Sequence, residues 1–216
     1  MLRALASVAA VVLVSGCSVF GIRSGYEQPP YTVLERVEET VEIRRYNSRL
    51  AAEVTVEAGD AEVGRDEAFR LLFDYISGAN QGQSKVAMTA PVEVGAEAEK
   101  IAMTAPVETA AAEDGRYTMR FFLPSAYTSA TVPQPTDPSV RIVELPEATV
   151  AVQRFSGSWD AEQLERRKAE LVRVLEESRW RPTGKPTSLF YDPPWTLPFL
   201  RRNEVAVPVA RAAKTS

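Results

Sequence analysis

In the folded part of this 216-residue chain, the same succession of patterns occurs twice: strands with alternating polarity, followed by an amphipathic helix. In the first pass, apolar and polar residues alternate over 52–56, and a helix is predicted over 65–77. The pattern restarts with alternating strands over 140–145 and 148–155 and a helix over 160–178. Period-two alternation is typical of a strand with one buried face. The chain is therefore predicted to be an α+β protein with two main helices.

The restart is also visible in the residue types. Thr40–Tyr46 matches Thr149–Phe155 in type, and each segment is followed by a predicted helix. We expect two strand-strand-helix-strand halves, about 31–123 and 139–210, related by a pseudo-twofold axis. A groove between two such halves is a common place for a ligand. Residues 211–216 would form a short tail.

The first predicted helix carries one apolar stripe. Phe69, Leu72, Phe73 and Ile76 fall at i, i+3, i+4 and i+7, so they share one face. Two interpretations stay open: the stripe packs as core against the sheet, or part of it walls a ligand pocket.

Residue types that are missing exclude several chemistries. The chain has no histidine, which excludes a histidine-ligated heme, a Ser-His-Asp triad and a histidine-containing zinc site. It has one cysteine, Cys17, so an internal disulfide is impossible. The formal net charge of -4 gives no basic surface for nucleic acid, and no such partner is predicted.

The N-terminus reads as a targeting segment. An apolar run over 4–14 is too short to span a membrane but suits a signal peptide. The run leads into Leu13–Cys17 (LVSGC), which resembles a bacterial lipobox. We expect a lipoprotein signal peptide over 1–17, a lipidated Cys17 and a tether over 18–30; the alternative is an ordinary secretory signal. Ser18 would place the protein at the outer membrane, facing the periplasm, in a Gram-negative host.

A tandem repeat and a proline-rich segment remain. KVAMTAPV (85–92) recurs as KIAMTAPV (100–107), and either both copies serve the fold or one is a neutral duplication. YDPPWTLPFLRRNEV (191–205) combines three prolines with three aromatic residues and two arginines. Rigid loops carrying aromatic residues are good ligand walls, but a stiff loop that only covers the core has the same composition.

These segments carry a family resemblance. DEAFRLLFDYISGAN (66–80), the two AMTAPV copies, FLPSAYT (122–128), RFSGSW (154–159) and the 191–205 segment resemble the SOUL heme-binding family. The resemblance implies one domain over 31–210, with a distorted β-barrel-like α+β fold of two similar halves and two main helices. It also implies that heme, or a related tetrapyrrole, lies against the first helix and the loop before the last strand. The residues assigned to the ligand in this way are Phe69, Leu72, Phe73, Ile76, Met88, Met103, Tyr191, Pro193, Pro194, Trp195, Phe199, Arg201 and Arg202.

The resemblance also suggests how a tetrapyrrole would be held. Arg201 or Arg202, with Lys85 or Lys100, would pair with the propionates, because arginine suits carboxylate recognition. Some family members use a histidine as the axial ligand of the heme iron. That mode cannot operate here, since the chain has no histidine. Tyr191, Met88 or Met103 would be the alternative weak axial ligands.

Three functions follow as hypotheses. The first is non-enzymatic binding of heme or another tetrapyrrole at the cell envelope, for transport, storage or buffering, with the membrane reached through the lipid anchor only. The second is a binding module for amphipathic or cationic small molecules, similar to gyrase-inhibitory and effector-binding domains, in which Glu204 faces the groove and selects cations. The third is a small hydrolase with Glu204 and Tyr191 as acid and base. The sequence favours the first, and so predicts no enzyme.

Overall fold

The computed structural model describes residues 27–57, 59–81, 92–95, 116–158, 160–192 and 195–212. The strands are β1 (Tyr31–Arg36), β2 (Val41–Tyr46), β3 (Arg49–Glu57), β4 (Val92–Gly95), β5 (Arg116–Phe122), β6 (Val140–Leu145), β7 (Ala148–Phe155), β8 (Trp180–Pro182), β9 (Thr187–Phe190) and β10 (Asn203–Arg211). The helices are α1 (Ala61–Ser77) and α2 (Ala161–Glu176), with a 3₁₀ turn at Pro198–Leu200. The predicted α+β class with two main helices is confirmed. Within the described ranges, no helix is both long and apolar enough to cross a membrane.

The chain divides into two compact units, and neither is continuous in sequence. Unit 2 holds residues 28–32 and 45–148, and unit 1 holds 33–44 and the part from 149 onward. The hairpin-helix order is the same in both passes along the chain, β2-β3-α1 and β6-β7-α2. Residues 41–44 of β2 nevertheless belong with β7, and β6 belongs with β3. Each unit therefore takes one strand from the other pass.

Strand order repeats from unit to unit. In unit 2 the order is β4-β5-β3-β6, and all three pairings are antiparallel. In unit 1 the corresponding order is β9-β10-β7-β2, extended by β1, while β8 pairs separately with β10. By order, β3 therefore corresponds to β7 and β6 to β2. The similarity between Thr40–Tyr46 and Thr149–Phe155 thus joins two neighbouring strands of unit 1, not equivalent strands of two units.

Unit 2 buries one face of β3 and β5 under α1. The alternation read from the sequence is present, since Ala52, Val54 and Val56 are buried with Met119 and Phe121. From α1, the residues that enter this core are Ala68, Leu72, Tyr75 and Ile76. Burying a large apolar side chain contributes about 1.5–3 kcal/mol, so this face orients the helix.

Unit 1 buries the other helix in the same way. Leu171, Val174 and Leu175 of α2 pack with Val205 and Val207 of β10. The same cluster includes Val41, Ile43, Ala151, Trp180 and Val209. Alternate residues of β10 and β2 therefore point away from α2, and this opposite face carries the charged residues described below.

Local chemistry sets the ends of α1. Asp60 accepts hydrogen bonds from the backbone N–H groups of Glu62 and Val63, so the helix begins before residue 65, where the sequence placed its start. Gly78 ends the helix as predicted, with φ at 124°, a conformation that favours glycine.

A side-chain cap sets the start of α2. The Asp160 side chain accepts from the Gln163 N–H at 2.8 Å, which is the N-cap half of a capping box. The helix spans Ala161–Glu176, inside the predicted 160–178. Leu164, Leu171 and Leu175 are buried, as the apolar face required.

Candidate functional site

Glu204 is a fully buried carboxylate in β10, on the sheet face that points away from α2. The next residue, Val205, packs under α2, so strand alternation directs Glu204 to the opposite side. Removing a charged group from water is costly, so a buried carboxylate is stable only if it is paired and hydrogen-bonded. The sequence signal for such a group is an acid inside an otherwise apolar strand.

Three side chains satisfy this carboxylate. Arg44 binds it bidentately, with Nη1 donating to Oε2 at 2.9 Å and Nη2 to Oε1 at 3.2 Å. Arg202 donates to Oε1 from Nε at 3.0 Å and from Nη2 at 2.8 Å. The Tyr191 hydroxyl donates to Oε2 at 2.6 Å. The Arg202 guanidinium also lies over the Tyr191 ring, 3.9 Å from its centroid. We call these four residues the buried charge cluster.

The cluster keeps Glu204 ionised. Burial raises the pKa of the Glu204 carboxyl, because it disfavours the charged form. The hydrogen bond and charge of Arg44, the charge of Arg202 and the Tyr191 hydroxyl together outweigh burial, so the pKa lies below its ordinary value. The carboxylate therefore carries its charge at neutral pH.

Arginines compensate the charge of the Glu204 carboxylate. Arg44 also donates from Nε to Glu42 at 2.9 Å, and Glu42 pairs with Arg36 at 3.1 Å. Glu204 is therefore paired with two guanidinium groups, those of Arg44 and Arg202. The hypothesis that Glu204 attracts a cation required a carboxylate without such compensation.

Unit 2 contains a similar arrangement on the face away from α1. Glu53 is buried, although the strand alternation predicted that it would meet water. It accepts from Arg120 Nε at 2.7 Å and from Arg141 Nη2 at 2.8 Å. Glu53 of β3 is the register partner of Arg120 of β5, and Glu204 of β10 is the register partner of Arg154 of β7.

The loop that joins β9 to β10 is held by hydrogen bonds at several points. Tyr191 N–H donates to the Arg202 carbonyl at 3.3 Å, and Arg202 N–H donates to Asp192 Oδ2 at 2.7 Å. Arg201 Nε donates to the Thr196 carbonyl at 2.8 Å. These bonds extend the β9–β10 hairpin and fix the segment between its ends.

This segment presents large apolar side chains to solvent. Trp195 is 64% exposed, Leu197 37% and Phe199 70%, whereas Thr196 is buried. We call residues 195–200 the apolar loop. Trp195 and Phe199, both predicted to contact the ligand, are thus accessible.

The predicted stripe on α1 divides into two parts. Phe69 and Phe73 are 42% and 45% exposed, and their rings lie 5.9 Å apart at an angle of 13°. Phe69 also contacts the edge of Phe121, 5.5 Å away. Leu72 and Ile76 point into the core, because helix positions 68, 72, 75 and 76 form the buried face. Of the four predicted contacts on α1, the structure leaves only the phenylalanine pair, Phe69 and Phe73, at the surface.

Two residues predicted to contact the ligand are engaged elsewhere. Tyr191 is buried and its hydroxyl donates to Glu204, so its oxygen does not point to an open coordination position. Arg202 is largely buried and binds the same carboxylate. Both support the base of the loop. Arg201 is partly exposed at the end of the apolar loop.

Several predicted residues lie outside the described part of the chain. These are Cys17, Lys85, Met88, Lys100, Met103, Pro193 and Pro194. The roles assigned to them, and the choice between the two repeat copies, remain predictions. Among the residues that are described, no three acidic, histidine or cysteine side chains come together as a metal site.

A cleft of about 350 Å³ lies in unit 2, beside the C-terminal end of α1. The sequence did not predict it, and it does not include the phenylalanine pair. Asp74 and Asp137 contribute its carboxylates. Its other lining residues are Leu71, Tyr75, Ala79, Pro135, Thr136, Pro138 and Val140.

Arg44, which binds Glu204 bidentately, was not among the residues predicted from the sequence. Arg44 and Glu204 are 160 positions apart, so no local pattern connects them. The sequence does show an arginine within an alternating strand and an acidic residue within an apolar strand elsewhere in the chain. Such a pair is predictable only once the strands are known to share a sheet.

Comparison with solved structures supports the fold. The C-terminal domain of EcmrR superposes with a TM-score of 0.58 at 11% identity, covering 84% of this chain and 99% of that domain. A structure described as a hydrolase from Listeria innocua gives a TM-score of 0.51 at 12% identity, covering 80% of this chain and 93% of the other. At these identities the likeness shows the fold alone.

Sequence comparison identifies relatives and a family. Heme-binding protein 2 of Mus musculus is 26% identical over 187 residues, covering 83% of this chain and 84% of the relative. Heme-binding protein 2 of Homo sapiens is 28% identical over 136 residues, covering 63% of this chain and 62% of the relative. The family model described as SOUL heme-binding protein matches residues 26–208, nearly the whole described chain. This chain therefore belongs to the SOUL heme-binding protein family.

Proposed function

We propose that this protein binds heme or a related tetrapyrrole at the cell envelope, without histidine ligation, for transport, storage or buffering. The observation that carries the proposal is the phenylalanine pair, two nearly parallel rings exposed on α1. Aromatic rings stacked with an offset against a flat apolar ligand gain about 0.5–1.5 kcal/mol beyond area burial. The family membership supports binding of this ligand class in general.

The apolar loop offers a second contact surface of the same character. Trp195 and Phe199 are accessible while the backbone beneath them is hydrogen-bonded, so little conformational freedom would be lost on binding. Arg201, partly exposed beside them, is the described residue that we assign to a propionate. Lys85 or Lys100 would pair with the second propionate.

Binding without an axial ligand is energetically reasonable. Heme has about 43 non-hydrogen atoms, and about -0.3 kcal/mol per atom gives roughly -13 kcal/mol at best. That free energy corresponds to a dissociation constant in the nanomolar range. Apolar contact alone can therefore hold the ring, and iron is not required for affinity.

The proposed location at the cell envelope is supported by sequence features alone. The apolar run over 4–14 and the lipobox-like Leu13–Cys17 support export and lipidation of Cys17. Acyl chains contribute about 0.8 kcal/mol per buried methylene, so more than one chain gives stable anchoring. Labelling of cells with a radioactive fatty acid tests this part, since Cys17→Ser would remove the label.

The binding experiment compares hemin with metal-free protoporphyrin IX. Saturable quenching of tryptophan emission is expected with both ligands, with dissociation constants within about threefold, because apolar contact dominates. Phe69→Ala combined with Phe73→Ala is expected to weaken both ligands at least about tenfold, since two ring contacts are lost. Val63→Ala is the matched control, as Val63 is also exposed on α1 but lies away from the pair.

Two results would contradict the proposal. No saturable signal with either ligand at micromolar concentration would remove tetrapyrrole binding. A preference for hemin of about tenfold or more, worth about 1.4 kcal/mol, would show that iron ligation contributes, and would refute the metal-independent mode.

The two other hypotheses gain no support from the described residues. The Glu204 carboxylate is already paired with Arg44 and Arg202, which opposes selection of cations by this residue. For the hydrolase, Tyr191 and Glu204 do form a short hydrogen bond, but both side chains are buried and bound within the cluster. Preferential binding of cationic dyes, or ester turnover lost in Glu204→Gln, would restore the respective hypothesis.

A further inference from the structure

The apolar loop exposes several large apolar side chains within a short segment. Trp195, Leu197 and Phe199 expose their side chains within five residues, while Thr196 turns inward. Single exposed apolar residues are common, but a contiguous group of large ones marks an interaction site. Such a group needs a partner that covers it.

The exposure is built into the backbone of the loop. Leu200 N–H donates to the Leu197 carbonyl at 2.9 Å, and Arg201 N–H donates to the Pro198 carbonyl at 3.1 Å. Gly157 N–H also donates to the Pro198 carbonyl, at 2.9 Å. These bonds form the 3₁₀ turn and attach it to the neighbouring segment. The three apolar side chains are therefore held outward.

The chemistry of the loop fits the interface of a lipid bilayer. Tryptophan is enriched at the headgroup level, because its ring is apolar and its indole N–H is polar. Trp, Leu and Phe together form the apolar surface of segments that lie in the interface. Arg201, at the end of the loop, is partly exposed, and its positive charge is complementary to anionic headgroups.

The chain that precedes the described residues favours the same partner. The sequence predicts a lipid anchor at Cys17, and nine residues separate Cys17 from Glu27, where the described chain begins. Fully extended, that connection spans about 35 Å at most. A domain kept this close to a bilayer meets it at high effective concentration.

We propose that the apolar loop inserts into the membrane interface, as a second membrane contact beside the predicted anchor. Trp195 and Phe199 enter the boundary between headgroups and acyl chains, and Arg201 faces the phosphates. The proposed function assigns these side chains to the tetrapyrrole as well, so the ligand-free protein is the state that inserts. The test of insertion contains no tetrapyrrole, so failure of the binding proposal and failure of this one are separate results.

The experiment uses the full-length chain reconstituted into vesicles of phosphatidylethanolamine and phosphatidylglycerol. Brominated acyl chains in these lipids quench a tryptophan that lies in the interface. Of the three tryptophans, Trp180 is buried and serves as an internal reference. Quenching of the wild-type chain is expected to fall at least about threefold in Trp195→Phe, which keeps the loop apolar but removes its reporter.

A second pair of variants separates insertion from simple proximity. Leu197→Ser combined with Phe199→Ser retains Trp195 and is expected to reduce the quenching, because the apolar surface is lost. Phe69→Ser combined with Phe73→Ser is the matched control, with exposed aromatic residues removed from α1 instead, and it is expected to leave the quenching unchanged. Absence of quenching in the wild type, equal quenching in Trp195→Phe, or failure of the chain to float with the vesicles would overturn the proposal.

Discussion

Glu204→Gln removes the negative charge at the centre of the buried charge cluster with little change in side-chain size. In the wild type, two carboxylate oxygens accept five hydrogen bonds from Arg44, Arg202 and Tyr191. A glutamine offers one oxygen acceptor, and its amide N–H groups face guanidinium donors. Arg44, itself buried, would keep its charge but lose its bidentate carboxylate partner.

The expected loss in the free energy of unfolding is about 3–5 kcal/mol, the cost of breaking a buried ion pair by removal of one partner. That is a large fraction of the 5–15 kcal/mol typical of a domain. The exposed pair of Glu162 and Arg166 on α2 supplies the control, because such helix-surface pairs contribute about 0.3–0.5 kcal/mol. Glu162→Gln should therefore remain close to the wild type.

Urea denaturation followed by circular dichroism measures the difference, and its pH dependence identifies the cause. The pKa of Glu204 is lower in the folded protein than its unfolded value of about 4.3. Its contribution to stability is therefore fully present above that pH and is lost as the pH falls through the folded pKa. The gap between wild type and Glu204→Gln is expected to narrow below a pH of about 4.

A double variant provides the refutation. Replacing both partners, with Arg44→Met and Glu204→Leu together, should cost less than Glu204→Gln alone, since Glu204→Gln deprives two guanidinium groups of the carboxylate and the double variant deprives only Arg202. A loss below about 1 kcal/mol in Glu204→Gln, typical of an exposed pair, would refute the reasoning. A gap that stays constant from pH 7 to pH 3 would refute the electrostatic explanation.

Three further predictions concern single residues within the two units. Leu72→Ala should lower the free energy of unfolding by about 2–5 kcal/mol in urea titrations, because Leu72 is a core residue of unit 2, and retained stability would place it at the surface. Gly157→Ala should cost about 1–2 kcal/mol although nothing lies within 4 Å of the added methyl, since φ is 108°, whereas Gly59→Ala, with equal space and no such φ, should cost less. Burial raises the pKa of Tyr75 to about 12, so ultraviolet titration of the wild type against Tyr75→Phe should show no phenolate from this residue at pH 10.5, and ionisation near pH 10 would contradict its placement.

The boundaries of strands and helices were predictable from the sequence where they depend on residues close together in the chain. The ranges of β6 and β7 agree with the predicted 140–145 and 148–155, because strand alternation repeats every two residues. Helix α2 was recognisable from Asp160 and its leucine spacing. The start of α1 was placed four residues late, since the Asp60 cap is followed by a first turn that carries no apolar stripe.

The sequence by itself determined the class of the fold, the repeated hairpin-helix order, the absence of histidine and the position of the aromatic residues in the 191–205 segment. The tertiary structure decided which strands exchange between the units and which face of α1 is buried. It separated Phe69 and Phe73 at the surface from Leu72 in the core, because a helix stripe wider than the buried face leaves part of itself in solvent. It also joined Arg44 to Glu204, since a contact across 160 residues depends on strand order, which short-range periodicity does not encode.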